Sequence, residues 1–241
     1  MPARRFFVPG VHHSGEPVLI EGSDAHKMLN VLRLRAGDEI EIVDSAGTLF
    51  AAMLQTSGDL RALLGMELGK AEACAIEIDV AQGIPKGAKM DFVVEKLSEL
   101  GVRALLPVRS ERTIARDVSD AKIDRWRRLA KSAAQQSGRR DVLAVEDPVD
   151  FATLCARFGQ YDAVLFLWEI AEQRPLRELL PGLVAQAGRV LVVVGPEGGF
   201  SHDEAEAARR AGAHPLSLGS RILRTETAAL AFVAVLNYLV Q

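Results

Sequence analysis

The sequence predicts an α/β chain in two parts: a small β-barrel, then a mostly parallel sheet covered by helices on both faces. Three observations carry that expectation. Residues 4–68 hold five short strand-like runs separated by turn residues. From about residue 75, apolar strand-like runs alternate with amphipathic helical runs, which is the rhythm of a parallel sheet. Near the C-terminus, two glycine-containing loops lie about twenty residues apart, each after an apolar run and before a helix. Such loops meet at one end of an α/β sheet, where ligands bind.

The elements follow in order. Strands are expected at 4–8, 17–21, 39–44, 48–55 and 62–68, with turns at Ser45-Ala46-Gly47 and Ser57-Gly58-Asp59. One helix interrupts them at 25–32, with Met28, Leu29, Val31 and Leu32 as its apolar residues and Ser23 as its N-cap. Five short strands and one helix suggest the barrel. The boundary falls near 69–74. Beyond it, strands are expected at 75–82, 105–108, 163–167, 190–194 and 215–218. Helices are expected at 87–100, 123–137, 151–158, 175–185, 202–211 and 225–240. The first of these aligns Met90, Val93, Val94, Leu97 and Leu100 on one face. Pro175 suits a first helical turn.

Composition narrows the function class. A chain of 241 residues suits one large domain or two small ones. With 49% apolar and 25% charged residues it reads as a soluble globular protein. No apolar run approaches the roughly 20 residues of a membrane span. The basic N-terminus lacks the apolar segment of a secretory signal. Cys74 and Cys155 therefore read as reduced thiols of a cytoplasmic protein. Neither they nor His12, His13, His26, His202 and His214 show metal-ligand spacing, so no metal is expected. The net charge of −3 gives no bulk attraction to nucleic acid. One local cluster does: Lys122, Arg125, Arg127, Arg128, Lys131, Arg139 and Arg140, against Asp124 alone in that span. A smaller patch holds Arg4, Arg5, His12 and His13. A solvated helix face is the plain alternative, but phosphate contact is favoured because the barrel independently suggests a nucleic-acid accessory domain.

The two loops carry the chemistry. In Gly195-Pro-Glu-Gly-Gly-Phe200 the paired glycines permit close backbone approach to a ligand. Ser201 and Glu204 then form a capping box that would hold the loop at a helix N-terminus. The loop has neither the phosphate-loop lysine nor the spacing of a dinucleotide fingerprint. The second loop runs from Leu218 to Thr227, with Arg221, Arg224 and Glu226 before and at the helix start and Thr225 as N-cap candidate. Ile222 and Leu223 need burial, which a flat apolar ligand such as an adenine ring would provide. Arginine cannot serve as a base near neutrality, its pKa being above about 12. Glu226 or Glu197 is the better base, and the competing role for Glu226 is stabilisation of its helix dipole.

At these residues a family resemblance enters. Val193-Val-Gly-Pro-Glu-Gly-Gly-Phe-Ser201 and Leu218-Gly-Ser-Arg-Ile-Leu-Arg-Thr-Glu-Thr-Ala228 resemble the RsmE family, the 16S rRNA (uracil-N3) methyltransferases of the SPOUT superfamily. Arg4-Arg-Phe-Phe-Val8, His26 through Asn30 to Asp38, Lys86 to Gly101, Ser110-Glu-Arg112 and Ala133 to Arg139 are similar as well, so the likeness covers nearly the whole chain. It implies a PUA-like RNA-binding barrel over 1–72 and a SPOUT domain with a deep trefoil knot over 73–241. It also implies a homodimer, S-adenosyl-L-methionine as cofactor and the 16S rRNA of the 30S subunit as partner. Carried over by residue, the cofactor would meet Leu167, Gly195, Glu197, Gly198, Gly199, Leu216, Leu218, Gly219, Ile222, Leu223 and Arg224, with Phe166 and Trp168 at the same strand end. Arg224 and Glu226 would be catalytic. Arg4, Arg5, Arg33, Arg35, Arg125, Arg128, Arg139 and Arg140 would hold RNA. Other readings are a SPOUT enzyme acting on tRNA or on a ribose 2′-oxygen, a non-catalytic RNA-binding assembly factor, and a nucleotide-binding metabolic enzyme.

Overall fold

The computed structural model describes residues 4–56, 58–70, 76–114, 117–171 and 175–240. The expected boundary at 72/73, Cys74, the start of the strand expected at 75 and Ser57 of the expected turn lie outside the described residues. The chain divides into two compact units, Met1–Ala73 with Ala134–Val142, and Cys74–Ala133 with Leu143–Gln241.

In the first unit the order is β1 (Arg5–Phe7), β2 (Pro17–Leu19), α1 (Gly22–His26), β3 (Glu39–Val43), β4 (Thr48–Gln55) and β5 (Arg61–Lys70). The sheet order is β1-β3-β4-β5-β2, parallel between β1 and β3 and antiparallel elsewhere. The five strands form a half-barrel with β1 and β2 as its edges. Strand alternation sends Ile40, Ile42, Ala52, Leu54, Ala62 and Leu64 to the inner face, where they pack with Phe6, Phe50 and Met28. The helix begins at Gly22, three residues before the expected 25. Glu21, extended at φ −127° and ψ 173°, occupies the N-cap position, so Ser23 lies inside the first turn and is not the cap. The helix runs on as a wider π-helical turn over Lys27–Val31. Arg33 ends it with a left-handed φ of 54°, and Leu34 N–H donates back to the Met28 carbonyl at 2.9 Å.

In the second unit the order is β6 (Glu77–Gly83), α2 (Lys89–Glu99), β7 (Ala104–Arg109), α3 (Asp120–Ser137, its end grouped with the first unit), β8 (Ala144–Val145), β9 (Val149–Asp150), α4 (Phe151–Ala156), β10 (Ala163–Leu167), α5 (Leu176–Val184), β11 (Arg189–Val194), α6 (His202–Arg210), β12 (His214–Leu216) and α7 (Thr225–Val240). The sheet order is β12-β10-β11-β6-β7-β8, with β9 also on β7, and every pairing is parallel. Central β11 is almost wholly apolar because both of its faces are covered. Met90, Val93, Val94 and Leu97 of α2 are fully buried, as their period predicts, while Leu100 caps the helix.

Two details position the site. Phe200, just past β11, stacks on Phe166 of β10 at 4.5 Å between ring centroids and so roots the glycine loop in the core. And β12 ends at Leu216, two residues before the expected 218, which releases Leu218 into the loop.

Candidate active site

The carboxyl ends of β10, β11 and β12 open into a cavity of about 720 Å³. Its walls are Leu167 to Glu169, Val194 to Glu197 with Gly199, and Leu216 to Thr225, with Lys89 and Ala228 closing it. Pockets of this size hold small-molecule ligands.

The glycine loop is fastened from several sides. The Ser201 hydroxyl accepts the Glu204 N–H at 3.2 Å, and the Glu204 carboxylate accepts the Ser201 N–H at 3.0 Å, completing the expected capping box. The other Glu204 oxygen accepts the Glu111 N–H at 2.8 Å. Arg112 donates to the Gly198 carbonyl at 2.9 Å. Thr225, the first residue of α7, is buried and donates its hydroxyl to the Gly195 carbonyl. The same oxygen accepts from the Gln82 amide at 2.7 Å, which ties the ends of β6 and β11 to α7. Gly83 packs so tightly under the loop that a Cβ there would lie 2.4 Å from the Pro196 nitrogen. Gly199 takes φ +66°, and its missing Cβ leaves room for the Glu169 carboxylate.

The second loop is held more lightly. Ser217 accepts the Gly219 N–H at 3.3 Å. Leu218 and Leu223 are half-buried, while Gly219, Arg221, Ile222 and Arg224 are exposed, Ile222 by 86%. At the third wall the half-buried Trp168 stands edge-on to His202 at 5.2 Å. Its indole N–H is shielded from solvent and has no hydrogen-bond partner among the described residues.

Charge concentrates where α2 and α7 begin. Lys89 donates to Glu197 at 2.8 Å and lies 3.7 Å from Glu226. Lys86 N–H also donates to Glu197, at 3.1 Å. Burial pushes the Glu197 carboxyl up. The Lys89 hydrogen bond, the backbone donors and the Lys89 charge outweigh that and hold it below the ordinary carboxylate value. The Lys89 ammonium is held above its ordinary value, chiefly by the hydrogen bond to Glu197 and then by the charges of Glu197 and Glu226, against the opposing charge of Arg224. Glu226 is 14% exposed at its side chain, and its Oε2 is shielded and accepts no hydrogen bond among the described residues.

The cavity therefore gathers Leu167, Gly195, Glu197, Gly199, Leu216, Leu218, Gly219, Ile222, Leu223 and Arg224. Gly198 stands outside the lining, facing Arg112. Glu226 lies behind Lys89. Sequence reasoning missed Gln82, Gly83 and Lys89. The signals are a glutamine and a glycine closing an apolar strand, and a lysine in a first helical turn, where the dipole disfavours a cation.

The basic residues fall into two groups. Arg4, Arg33, Arg35 and Arg128 are exposed, with guanidinium groups that make no ion pair or hydrogen bond among the described residues. The others are engaged. Arg5 pairs with Glu41 at 2.7 Å and donates to the Gly138 and Arg139 carbonyls. Arg125 pairs with Asp91 at 2.8 Å, Arg139 with Asp141 at 2.6 Å, and Arg140 donates to the Lys70 carbonyl. Cys155 is half-buried, and burial followed by the charge of Glu204 raises its thiol to about 11.

Comparison with known proteins places this chain in a family. The RNA methyltransferase domain family matches residues 72–237, and the RNA methyltransferase PUA domain family matches residues 20–64. The ribosomal RNA small subunit methyltransferase E of Bacillus subtilis is 31% identical over 91% of this chain and 89% of its own length. The chain belongs to the ribosomal RNA small subunit methyltransferase E family. The family's Mycobacterium tuberculosis member is also 31% identical, over 95% of this chain and 89% of its own. The crystal structure of the Neisseria gonorrhoeae member, bound to S-adenosyl methionine, is 31% identical and covers 98% of both chains with a TM-score of 0.87. The N-terminal half-barrel thus corresponds to a PUA domain and the parallel α/β unit to a methyltransferase.

Proposed function

We propose that this chain methylates N3 of a uridine in the 16S rRNA of the small ribosomal subunit, using S-adenosyl-L-methionine. Family membership makes it an RNA methyltransferase. The observation that carries the finer reading is the cleft, with a backbone-rich glycine loop on one side and apolar residues beside two arginines on the other.

The cleft suits the cofactor on its own terms. Ile222 is exposed where an apolar ring would cover it, Leu218 and Leu223 flank it, and the Trp168 indole N–H has no partner among the described residues. Leu167, Gly195, Glu197, Gly198, Gly199, Leu216, Leu218, Gly219, Ile222, Leu223 and Arg224 would hold the cofactor. When bound, it supplies a methyl group on an electrophilic sulfonium. The chain's own residues then have to orient the uracil and manage one proton. Arg224, exposed at the cleft, stabilises negative charge growing on a uracil carbonyl. Glu226 accepts the N3 proton. Of the two carboxylates open to that role, Glu226 is favoured because Glu197 already accepts two donors. The base must be unstacked to reach them.

In this reading residues 1–72 form the RNA-binding domain and 73–241 the catalytic one. Arg4, Arg33, Arg35 and Arg128, whose guanidinium groups are unengaged among the described residues, are the first candidates for phosphate contact, with Arg5, Arg125, Arg139 and Arg140 supporting them. A trefoil knot of the SPOUT type is part of this reading; the chain crosses from β11 past β10 to β12, and the loops after β11 and β12 both line the cleft. A homodimer and a cytoplasmic location complete the proposal. Among the described residues no helix is long and apolar enough to cross a membrane, and no group of residues could hold a metal ion.

Incubation of the protein with labelled cofactor and 30S subunits or naked rRNA, followed by mapping of the methylated nucleoside, tests the reading. A ribose 2′-O product or a tRNA product would replace it. Arg224→Ala should slow transfer by about a hundredfold or more while cofactor affinity stays near that of the parent. Unchanged turnover would remove Arg224 from the chemistry.

A further inference from the structure

Lys89 begins α2 with no favourable local reason to be there. Ala88 before it offers no side-chain cap, and a cation at a helix N-terminus opposes the dipole. Yet the ammonium lines the cleft between two carboxylates, and the two distances differ. It donates a hydrogen bond to Glu197 at 2.8 Å and stands 3.7 Å from Glu226 Oε2, beyond hydrogen-bond reach. Glu197 is fixed in turn by the Lys86 N–H at 3.1 Å. The Lys89 ammonium therefore hydrogen-bonds Glu197, while Glu226 receives only its field. A shielded carboxylate oxygen with no donor is costly unless a positive charge stands near it, and Lys89 is the cation within ion-pair distance among the described residues.

We propose that Lys89 is a positioning residue that fixes the Glu226 carboxylate beside the cleft through its charge, and that Glu197 anchors Lys89 so that Glu226 keeps a free lone pair for the substrate proton. This rests on the reading of Glu226 as proton acceptor. The three residues divide one task. Glu197 is satisfied and is not a base. Lys89 supplies charge without donating its hydrogen to the acceptor. Glu226 retains an oxygen able to take a proton from uracil N3, after which it is neutral beside an ammonium still paired with Glu197. The proton then leaves to solvent, so charge and atoms balance over the cycle.

The test is single-turnover methyl transfer to 30S subunits at saturating cofactor, with calorimetric affinity for S-adenosylmethionine and thermal unfolding measured on each full-length variant. Lys89→Met should lower the transfer rate at least tenfold while cofactor affinity changes less than threefold. Lys89→Arg, which keeps the charge, should recover the rate to within about threefold of the parent. Glu197→Gln should also slow transfer, because Lys89 is then free to bond Glu226 directly. In a Glu226→Gln background, Lys89→Met should add no further loss, since Lys89 acts through Glu226. The proposal is overturned if Lys89→Met keeps the parental rate, if its rate and cofactor affinity fall together, or if its loss adds fully to that of Glu226→Gln. Should Lys89→Met fail to fold, Lys89→Arg and Glu197→Gln decide the matter by the same rates. Full activity in Glu226→Gln would instead sink the assignment of the base itself, which separates the two failures.

Discussion

The two loops that face each other across the cleft are built on opposite principles. The glycine loop, Gly195 to Phe200, is bonded by Thr225 and Arg112, capped by Ser201 and Glu204, underlaid by Gly83 and rooted by Phe200. The loop from Ser217 to Arg224 presents an 86%-exposed isoleucine and two exposed arginines, with a single short Ser217–Gly219 turn to stiffen it. The first is a preformed backbone surface that costs little to use. In the proposed reading, the second carries the side chains that a ligand and a substrate would order. A site that binds one small molecule and then a large one benefits from that asymmetry, because the fixed wall sets the geometry and the yielding wall admits the second partner.

The contrast can be broken most severely from beneath the fixed wall. Gly83→Ala would force the loop off its strand, since backbone atoms rather than a flexible side chain occupy the space its Cβ needs. A destabilisation of about 3 kcal/mol, at the upper end for overpacking, is expected, together with loss of measurable cofactor binding. Chemical denaturation and calorimetry on the same preparation would check both, and near-parental values would mean that the loop is not rigid.

Thr225→Val strikes the same wall more gently. It keeps the shape but leaves the Gln82 amide and the Gly195 carbonyl short of a partner in a buried place. Its cost should be about 2 kcal/mol, visible as a lowered unfolding midpoint.

Ile222→Ala tests the opposite wall and should have the smallest effect on the fold. An exposed loop residue contributes within about 0.5 kcal/mol of nothing to stability. Cofactor affinity should nevertheless fall several-fold, because the bound ligand would cover the lost apolar area. If Ile222→Ala unfolded the protein while binding persisted, the two walls would have been assigned the wrong way round.

The same division explains how much was legible in the sequence. Signals that act over a few residues read correctly: the Ser201–Glu204 capping box, the 3.6-residue period of α2 and the unbroken apolar run of β11. The paired motifs around Gly195 and Arg224 also led to the right family. What local pattern could not supply was partnership at a distance. Ser23 has the chemistry of a cap, but the entry of the chain from β2 put Glu21 at that position. Arg5 and Arg140 looked like free phosphate ligands, and only the packing of residues 134–142 against the strands of their unit brought backbone carbonyls within their reach, whereas Arg139 is engaged locally by Asp141 two residues on. Leu218 moved from strand to cleft because β12 pairs with β10 only as far as Leu216. Lys89 and Gln82 gained their importance from α7, more than a hundred residues away in sequence.

That last distance has a consequence for the order in which the molecule is made. The Thr225 hydroxyl is the knot of bonds where the ends of β6 and β11 meet the start of α7. On a ribosome, β6, β11 and the glycine loop emerge well before Thr225 does. Until Thr225 arrives, the Gly195 carbonyl lacks its donor and the cleft lacks one wall. Capture of a ligand in this cleft is therefore deferred until α7 has been made, and the ligand meets a cleft whose walls are already joined.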